Sequence, residues 1–576
     1  MRLTTNKTGN GTTYYVIRSV KRDGKRSSEV VERLGTDKEI KEKYHCNDAR
    51  AWAESRLEEL NAAEEAKVNK VLVPFSTNTL IPKDRCNSYN IGYLFLQQIY
   101  YDLSIPNICR SISREHSFAY DLDSILSRLI YGRILYPSSK LSCFEQSHTL
   151  LEPPNFELHQ VYRALSVLAE ESDSIQALLY ESSKRLWKRQ TGILFYDCTN
   201  YFFESEQASG LRQYGTSKEH RPNPIVQMGL FMDGSGIPLA FCINPGNTNE
   251  QVTLKPLEKQ IMKDFSLCRF IVCTDAGLSS ADNRKFNNFG GRCFITTQSL
   301  KKMKKTEQEE YMDPKGWHVS GENRLYDINA LEDNGENQEK TFYKEFFIDG
   351  YDEGRDIYFN QTLIVTYSLK YRNYQRSIRS QQVDRALKAL NNPKKTEKCN
   401  QNDYRRFIKK TSITKDGEVA SKKVYGIDQD AIDKEERFDG FYAVVTNLED
   451  SAEDIIKINH DRWEIEESFR IMKSEFEARP VYLSRDDRIK AHFLTCFMAL
   501  LIYRLLEKKL DEKYSCSRII KTLRGMDMAE LGDEGYIPIY TRTEITDSLH
   551  KAAGFRTDYE IIKKRRMKGI CSLTKK

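Results

Sequence analysis

Three carboxylates and a set of cations are the residues of this 576-residue chain with the types and spacing to do chemistry. Two of the acids, Asp197 and Asp275, follow short apolar runs, Ile193-Leu194-Phe195-Tyr196 and Phe270-Ile271-Val272-Cys273-Thr274. A strand ending in a carboxylate puts the acid at the rim of a sheet, open to a metal ion or a substrate. The third acid, Glu466, lies in the stretch from Asn459 to Pro480. There Arg462, Glu466, Phe469, Arg470 and Lys473 are spaced by threes and fours and fall on one stripe of a helix. Alone, that stretch reads as an exposed helix laced with ion pairs, and a single strand-end Asp reads as a turn former or a helix cap. Two such aspartates followed by a helix-borne Glu flanked by cations are more specific. With no His or Cys ligand nearby, three carboxylates suit a hard ion, Mg²⁺ or Mn²⁺, better than zinc. Sites of this kind commonly hold two ions, roughly 3.5–4 Å apart, that activate one oxygen and stabilise another during phosphoryl transfer.

Neighbouring acids compete for these roles. Glu464 and Glu467 stand two and five residues from Arg462, off the cation stripe. Asp282 follows Ser279-Ser280-Ala281, where helix capping explains it. Cys198 and Cys273 flank the two aspartates as packing thiols.

The elements that must position these residues can be traced along the chain. Its length implies two to four domains, and 39% hydrophobic and 30% charged residues describe a folded, soluble protein. The thirteen scattered cysteines include no C-x-x-C pair, so neither a zinc knuckle nor a disulfide framework is expected, and a reducing cytosol is the expected compartment. The N-terminus lacks the apolar core of a signal peptide. The run from Phe493 to Tyr503 is too short for a membrane span and reads as a core helix.

Residues 1–80 are expected to form a basic β-hairpin, turning at Asp23-Gly24, followed by a helix. Residues 81–190 read as an all-helical module, either a DNA reader or a packing domain. Strand patterns then alternate with helices over 191–297 and resume at 439–512, an α/β core with a mixed sheet. Residues 298–438 interrupt it as a β-rich basic insertion, and 513–576 form a helical tail. The net charge of +6 is modest, but Lys370 to Lys410 holds thirteen Lys/Arg against three acids, a balance of +10, interleaved with Tyr371, Tyr374, Tyr404 and Phe407. Clustered cations with aromatics suit an anionic polymer as partner.

The order Asp197, Asp275, long insertion, then R-W-x-I-E-x-x-F-R-x-x-K resembles the D-D-E transposases of bacterial insertion sequences, and most closely the insertion-sequence-four type. That type carries Y-x2-R-x3-E-x6-K. Arg462, Glu466 and Lys473 match it, while Asn459 stands at the tyrosine position. Gly215 to Arg221, Pro245-Gly246-Asn247, Asp275-Ala276-Gly277 and Arg479-Pro480-Val481-Tyr482 also fit, so the resemblance spans about 191–505. It implies a ribonuclease H-like core in which Asp197, Asp275 and Glu466 hold two Mg²⁺ or Mn²⁺ ions. It implies DNA as substrate, cut at element ends and joined to target DNA, by a protein that is homodimeric in synapsis, cytoplasmic and nucleoid-associated. Arg462 and Lys473 would grip phosphates, joined by Lys218, Arg221 and Arg470. Trp317 in the insertion would stack on a flipped base or serve as a core residue. The alternatives are a nuclease on the same fold that cuts without joining, and a DNA-binding protein that has lost catalysis.

Overall fold

The computed structural model describes the chain apart from residues 9–10, 23–24, 69–70, 72, 74, 353, 391–402 and 414–418. Two compact units emerge, Met1–Arg85 with Glu530–Tyr536, and Cys86–Ala529 with Ile537–Lys576. In the first, alternating side chains build a three-stranded antiparallel sheet of β1 (Arg2–Thr8), β2 (Gly11–Arg22) and β3 (Lys25–Thr36). Helices Asp37–Tyr44 and Ala49–Val68 come next, and Tyr14, Val16, Leu34, Ile40 and Ala53 make their shared core. The expected hairpin is therefore two strands of a three-stranded sheet, and its Asp23-Gly24 turn lies outside the described residues.

The second unit begins with β4 (Ser88–Asn90) and the expected helices. The main sheet then takes its strands in chain order: β5 (Ile193–Phe202), β6 (Ile225–Asp233), β7 (Pro238–Pro245), β8 (Ile271–Thr274) and β9 (Cys293–Thr297). The insertion supplies β10 (Lys315–Val319), β11 (Tyr326–Asp327), β12 (Phe342–Asp352) and β13 (Ile357–Tyr367). A separate hairpin, β14 (Ile408–Ile413) with β15 (Val419–Ile427), precedes β16 (Phe441–Thr446). The order across the ten-stranded sheet is β11-β10-β12-β13-β16-β9-β8-β5-β6-β7, parallel only at β5/β8 and β8/β9.

Three features that the sequence did not reveal arise from pairings distant in the chain. Strands β10 to β13 of the insertion do not form a sheet of their own, because β13 pairs with β16 along Thr362–Tyr367 and extends the core sheet. The 81–190 helices do not stand apart, since helix Asp486–Lys509 packs against helices Tyr93–Asp102, Leu122–Leu135 and Leu158–Glu170. This is the one helix among the described residues long and apolar enough to cross a membrane, and it is almost wholly buried inside the fold. The 513–576 tail also holds two short strands, β17 (Asp527–Leu531) and β18 (Gly535–Pro538).

The basic stretch is also less free than its charge count suggests. Arg372 pairs with Asp333 at 2.9 Å, Arg376 with Glu436 at 3.2 Å, Arg406 with Glu435 at 2.6 Å, and Arg379 with buried Asp439. Those acids lie outside the counted window. Lys394, Lys395 and Lys398 lie outside the described residues.

Period-two alternation decides what β5 offers to each face. Leu194, Tyr196 and Cys198 face a core with Leu254, Leu257 and Ile261 of helix Leu254–Asp264. Asp197, Thr199 and Tyr201 face the other way, and Tyr201 meets Phe493 there. On the covering helix, Glu258 is fully buried. Its Oε1 accepts from Asn287 at 2.7 Å, while Oε2 has no hydrogen-bond partner among the described residues. Burial pushes this carboxyl up to about 7, against the help of Asn287 and Arg292. The folded chain therefore keeps a proton that the unfolded chain has already released, and stability falls as pH rises from about 4.5 to 7. Glu258→Gln is expected to gain about 3 kcal/mol at pH 8 and almost nothing at pH 4. Denaturant midpoints at the two pH values check this, and an equal gain at both would exclude the titration as its cause.

Candidate active site

Asp197 and Asp275 stand side by side because β5 and β8 run parallel in a register that pairs Phe195 with Cys273, two residues before each acid. Asp275 does end its strand, and its Oδ1 accepts from Gly277 N and Leu278 N at 3.0 and 3.1 Å. Asp197 does not end its own, since β5 continues to Phe202 in pairing with β6. The acid is reachable because β8 stops at Thr274, leaving β5 without a neighbour on that side. Burial is the main force pushing Asp197 up to about 7, Asp275 adds to it, and Lys218 and Arg462 oppose it.

The stretch carrying Glu466 is not one regular helix. Helix Ala452–His460 ends at Asp461, Arg462 caps a new helix Trp463–Arg470, and Ile471–Glu475 forms a π-helical turn. A π turn is wider than an α turn and is often found at functional sites. The even stripe expected from 3.6-residue spacing is thereby divided. Arg462 and Glu466 remain together, Nη2 to Oε1 at 3.0 Å. Lys473 turns to β5, where Nζ donates to Thr199 Oγ1 at 2.6 Å, on the same strand face as Asp197. Arg470 is exposed and pairs with Glu467, away from this group. Glu464 is bound inward to Arg504, which also holds Ser468 and Glu507 and so fixes the helix. Of the three neighbouring glutamates, Glu466 is the one held on the Arg462 side. Asp282 is exposed, in the first turn of a helix capped by Ser280, and Cys198 and Cys273 are buried.

Electrostatics tie the cations to the acids. Burial works against the charge on Lys218, but Asp197 and Glu250 outweigh it and hold the ammonium above its ordinary value. Its Nζ donates to the Cys198 carbonyl and lies 3.1 Å from Glu250 Oε1. Arg462 is likewise held up against burial by Tyr442, Glu466 and Asp197. Lys473 is pushed down to about 8 by burial and by Lys218. Arg221 sits over the Phe202 ring, its Cζ 4.1 Å from the centroid, and its Nε lies 3.8 Å from Glu219 Oε2.

Sequence reasoning missed several residues. Glu219 gathers cations from two elements, with Arg479 Nη1 on its Oε1 and Lys473 Nζ 3.6 Å away. Asn200 holds the loop that carries Lys218, accepting from Lys218 N and donating to the Thr216 carbonyl. The same loop is closed by two glycines: a Cβ on Gly215 would stand 2.0 Å from the Gly246 carbonyl oxygen, which joins two of the motif pieces backbone to backbone. Tyr442 brings its hydroxyl to Thr297 at 2.6 Å and to Asn459 Nδ2 at 3.2 Å, beside the position where the signature has tyrosine. The local signal for Glu219 was its place between Lys218 and Arg221, whereas Tyr442 gave none.

A family model described as the transposase DDE domain matches residues 192–502. The chain belongs to this transposase family. The match covers the sheet from β5 to β16 and runs to helix Asp486–Lys509, so it includes both aspartates, Glu466 and the insertion. Among solved structures, the cryo-EM piggyBac transposase synaptic complex with hairpin DNA is similar at 8% identity and a TM-score of 0.35, over 86% of this chain and 87% of that one. No curated protein matches the chain.

Within this transposase domain, two of the three cations of the former stripe now differ in expected effect. Lys473→Met, which empties the place beside Thr199, is expected to slow DNA cleavage about 10²-fold. Arg470→Ala is expected to change it less than about threefold, the ordinary range for an exposed pair. Single-turnover cleavage rates compare them, and equal losses would restore Arg470 to the site.

Proposed function

We propose that the protein cuts DNA at the ends of an insertion sequence and joins the freed ends to target DNA, with Asp197, Asp275 and Glu466 as its catalytic carboxylates. The observation that carries this reading is the level placement of Asp197 on β5 and Asp275 at the end of the adjacent parallel β8, with Lys473 reaching the same strand face and Arg462 acting electrostatically on Asp197. The match of Arg462, Glu466 and Lys473 to the signature spacing supports the insertion-sequence-four type.

The donor set fits a hard divalent cation in part. Burial first, and then Asp275, push Asp197 up, a penalty that a cation held by these carboxylates would offset. Glu466 rests on Arg462, and among the described residues no three acidic, imidazole or thiol side chains gather as a ready cluster. The triad would close when a phosphate takes Arg462 from Glu466. Mg²⁺ or Mn²⁺ held there would supply Lewis-acid activation of the attacking oxygen and charge relief at the leaving oxygen.

The residues of the chain do the remaining work. Arg462 and Lys473 neutralise the phosphate under attack, and Lys218 steadies the far side from its loop. In the first step a water oxygen bonds to phosphorus and the 3′ oxygen leaves, taking up a proton to become a 3′-hydroxyl. In the second, that hydroxyl attacks a target phosphodiester and displaces the target strand's own 3′ oxygen. The first step hydrolyses one phosphodiester. The second exchanges one phosphodiester for another, with the proton of the attacking hydroxyl passing to the displaced 3′ oxygen, and no external energy source enters.

End-labelled DNA carrying the terminal repeats that flank the gene, incubated with the purified protein and Mg²⁺, tests this directly. Nicked ends together with a strand-transfer product are expected. Nicking alone would make the protein a nuclease, and neither product would leave a DNA-binding protein.

A further inference from the structure

A second cationic site lies apart from the acids. The end of helix Leu122–Leu135 and the loop after it meet the segment Glu477–Leu483 around a cleft of about 490 Å³. Arg133, Ser138, Lys140, Tyr162, Arg479 and His492 are among the residues that line it. Lys140 is only 7% exposed, yet it makes no hydrogen bond or ion pair with any described residue. Arg133, 6% exposed, donates to the carbonyls of Phe476 at 3.0 Å and Ser138 at 3.3 Å, contacts that leave its charge uncompensated. The acid on the lining, Glu477, is exposed and reaches neither cation through an ion pair among the described residues.

Two neighbours register this positive potential. Burial first, and then Arg133 and Lys140, hold His492 well below its ordinary range, so its imidazole is neutral. Burial first, and then Arg133, push Lys140 down to about 8, with only the thiols of Cys143 and Cys496 acting the other way. Lys140 is also the first residue of helix Lys140–Ser147, which Ser139 caps. A helix N-terminus adds further positive potential where a ligand would sit. An unpaired buried ammonium costs several kcal/mol in general, and buried cations of this kind are normally matched by an anion.

We propose that this cleft binds a phosphate group on Lys140, with Arg133 beneath it and the helix N-terminus facing it. The source is either a backbone phosphate of DNA, which rests on the transposition reading, or free phosphate, which does not.

The test uses the full-length protein and Lys140→Met, which keeps the apolar stem and removes the charge. In phosphate-free buffer the variant is expected to melt at or above the wild-type temperature, which also shows that it folds. Inorganic phosphate, at ionic strength matched with chloride, is expected to raise the melting temperature of the wild type. The variant is expected to lose at least about tenfold in phosphate affinity. Binding to end DNA across a salt series identifies the source. A slope of log K against log[salt] shallower by about 0.9 in the variant assigns a backbone phosphate, whereas an unchanged slope with phosphate binding lost assigns free phosphate. A variant identical to wild type in both arms means a hydrated cation only and overturns the proposal. A wild type that neither binds nor cuts end DNA sinks the transposition reading, while the phosphate arm still decides the site.

Discussion

Asp197→Asn is expected to bind end DNA as tightly as wild type and to cut it slower by about 10³-fold or more. The substitution keeps the size of the side chain and an oxygen acceptor for the Cys198 N–H, so the strand is undisturbed. Only the charge is lost. Because Asp197 is pushed up to about 7 by burial and by Asp275, its removal relieves the site when no cation is present. The variant should therefore melt at or above the wild-type temperature without metal. Mg²⁺ should then stabilise the wild type and not the variant, since a ligand that binds only the folded state raises stability by mass action. Asp275→Asn and Glu466→Gln are expected to behave alike in cleavage. Glu464→Gln, at the inward Arg504 contact, should leave the chemistry in place. Undiminished cutting by Asp197→Asn, or by Glu466→Gln, would remove that residue from the catalytic set.

Trp317→Ala is expected to cost about 3–5 kcal/mol of stability, the range for emptying the space of a large buried aromatic. Trp317 is fully buried on β10 and its Nε1 donates to the Asp313 carbonyl at 2.8 Å. It belongs to one buried cluster with Phe342 of β12, Leu363, Val365 and Tyr367 of β13, Ala443 and Val445 of β16 and Phe294 of β9. Insertion and catalytic sheet thus share one hydrophobic core. Denaturant unfolding followed by tryptophan fluorescence and by circular dichroism should show a shifted midpoint. A base-stacking role predicts the opposite pattern, an unchanged midpoint with weakened DNA binding, and burial excludes that role in this structure.

The local features of the site were legible in sequence because they depend on short-range patterning. Apolar runs marked the cores of β5 and β8, and the aspartates after them marked where chemistry could begin. Spacing by fours kept Arg462 and Glu466 together, and the structure pairs them. Non-local features were not legible. That β5 runs on to Phe202 is set by its pairing with β6, and that β13 joins β16 is set by strands far apart in the chain. The +10 stretch looked unopposed because its partners, Asp333, Glu435, Glu436 and Asp439, lie outside it. Glu219 gave no sign that it would gather Lys473 and Arg479. The assumption of a constant helical period failed at two places, the break at Asp461-Arg462 and the π turn Ile471–Glu475.

That turn makes chain length, as distinct from side-chain chemistry, a determinant of the site. A π turn is equivalent to an α turn carrying one surplus residue. Deleting Ile471 or Met472 would let the segment wind back to regular α-helix and shift the side chains that follow within the turn by about 100°. Lys473 would swing off Thr199. On the proposed function, Lys473 would then point past the carboxylates with Asp197, Asp275 and Glu466 all still present. In this part of the chain an in-frame loss of one codon is a heavier lesion than most substitutions.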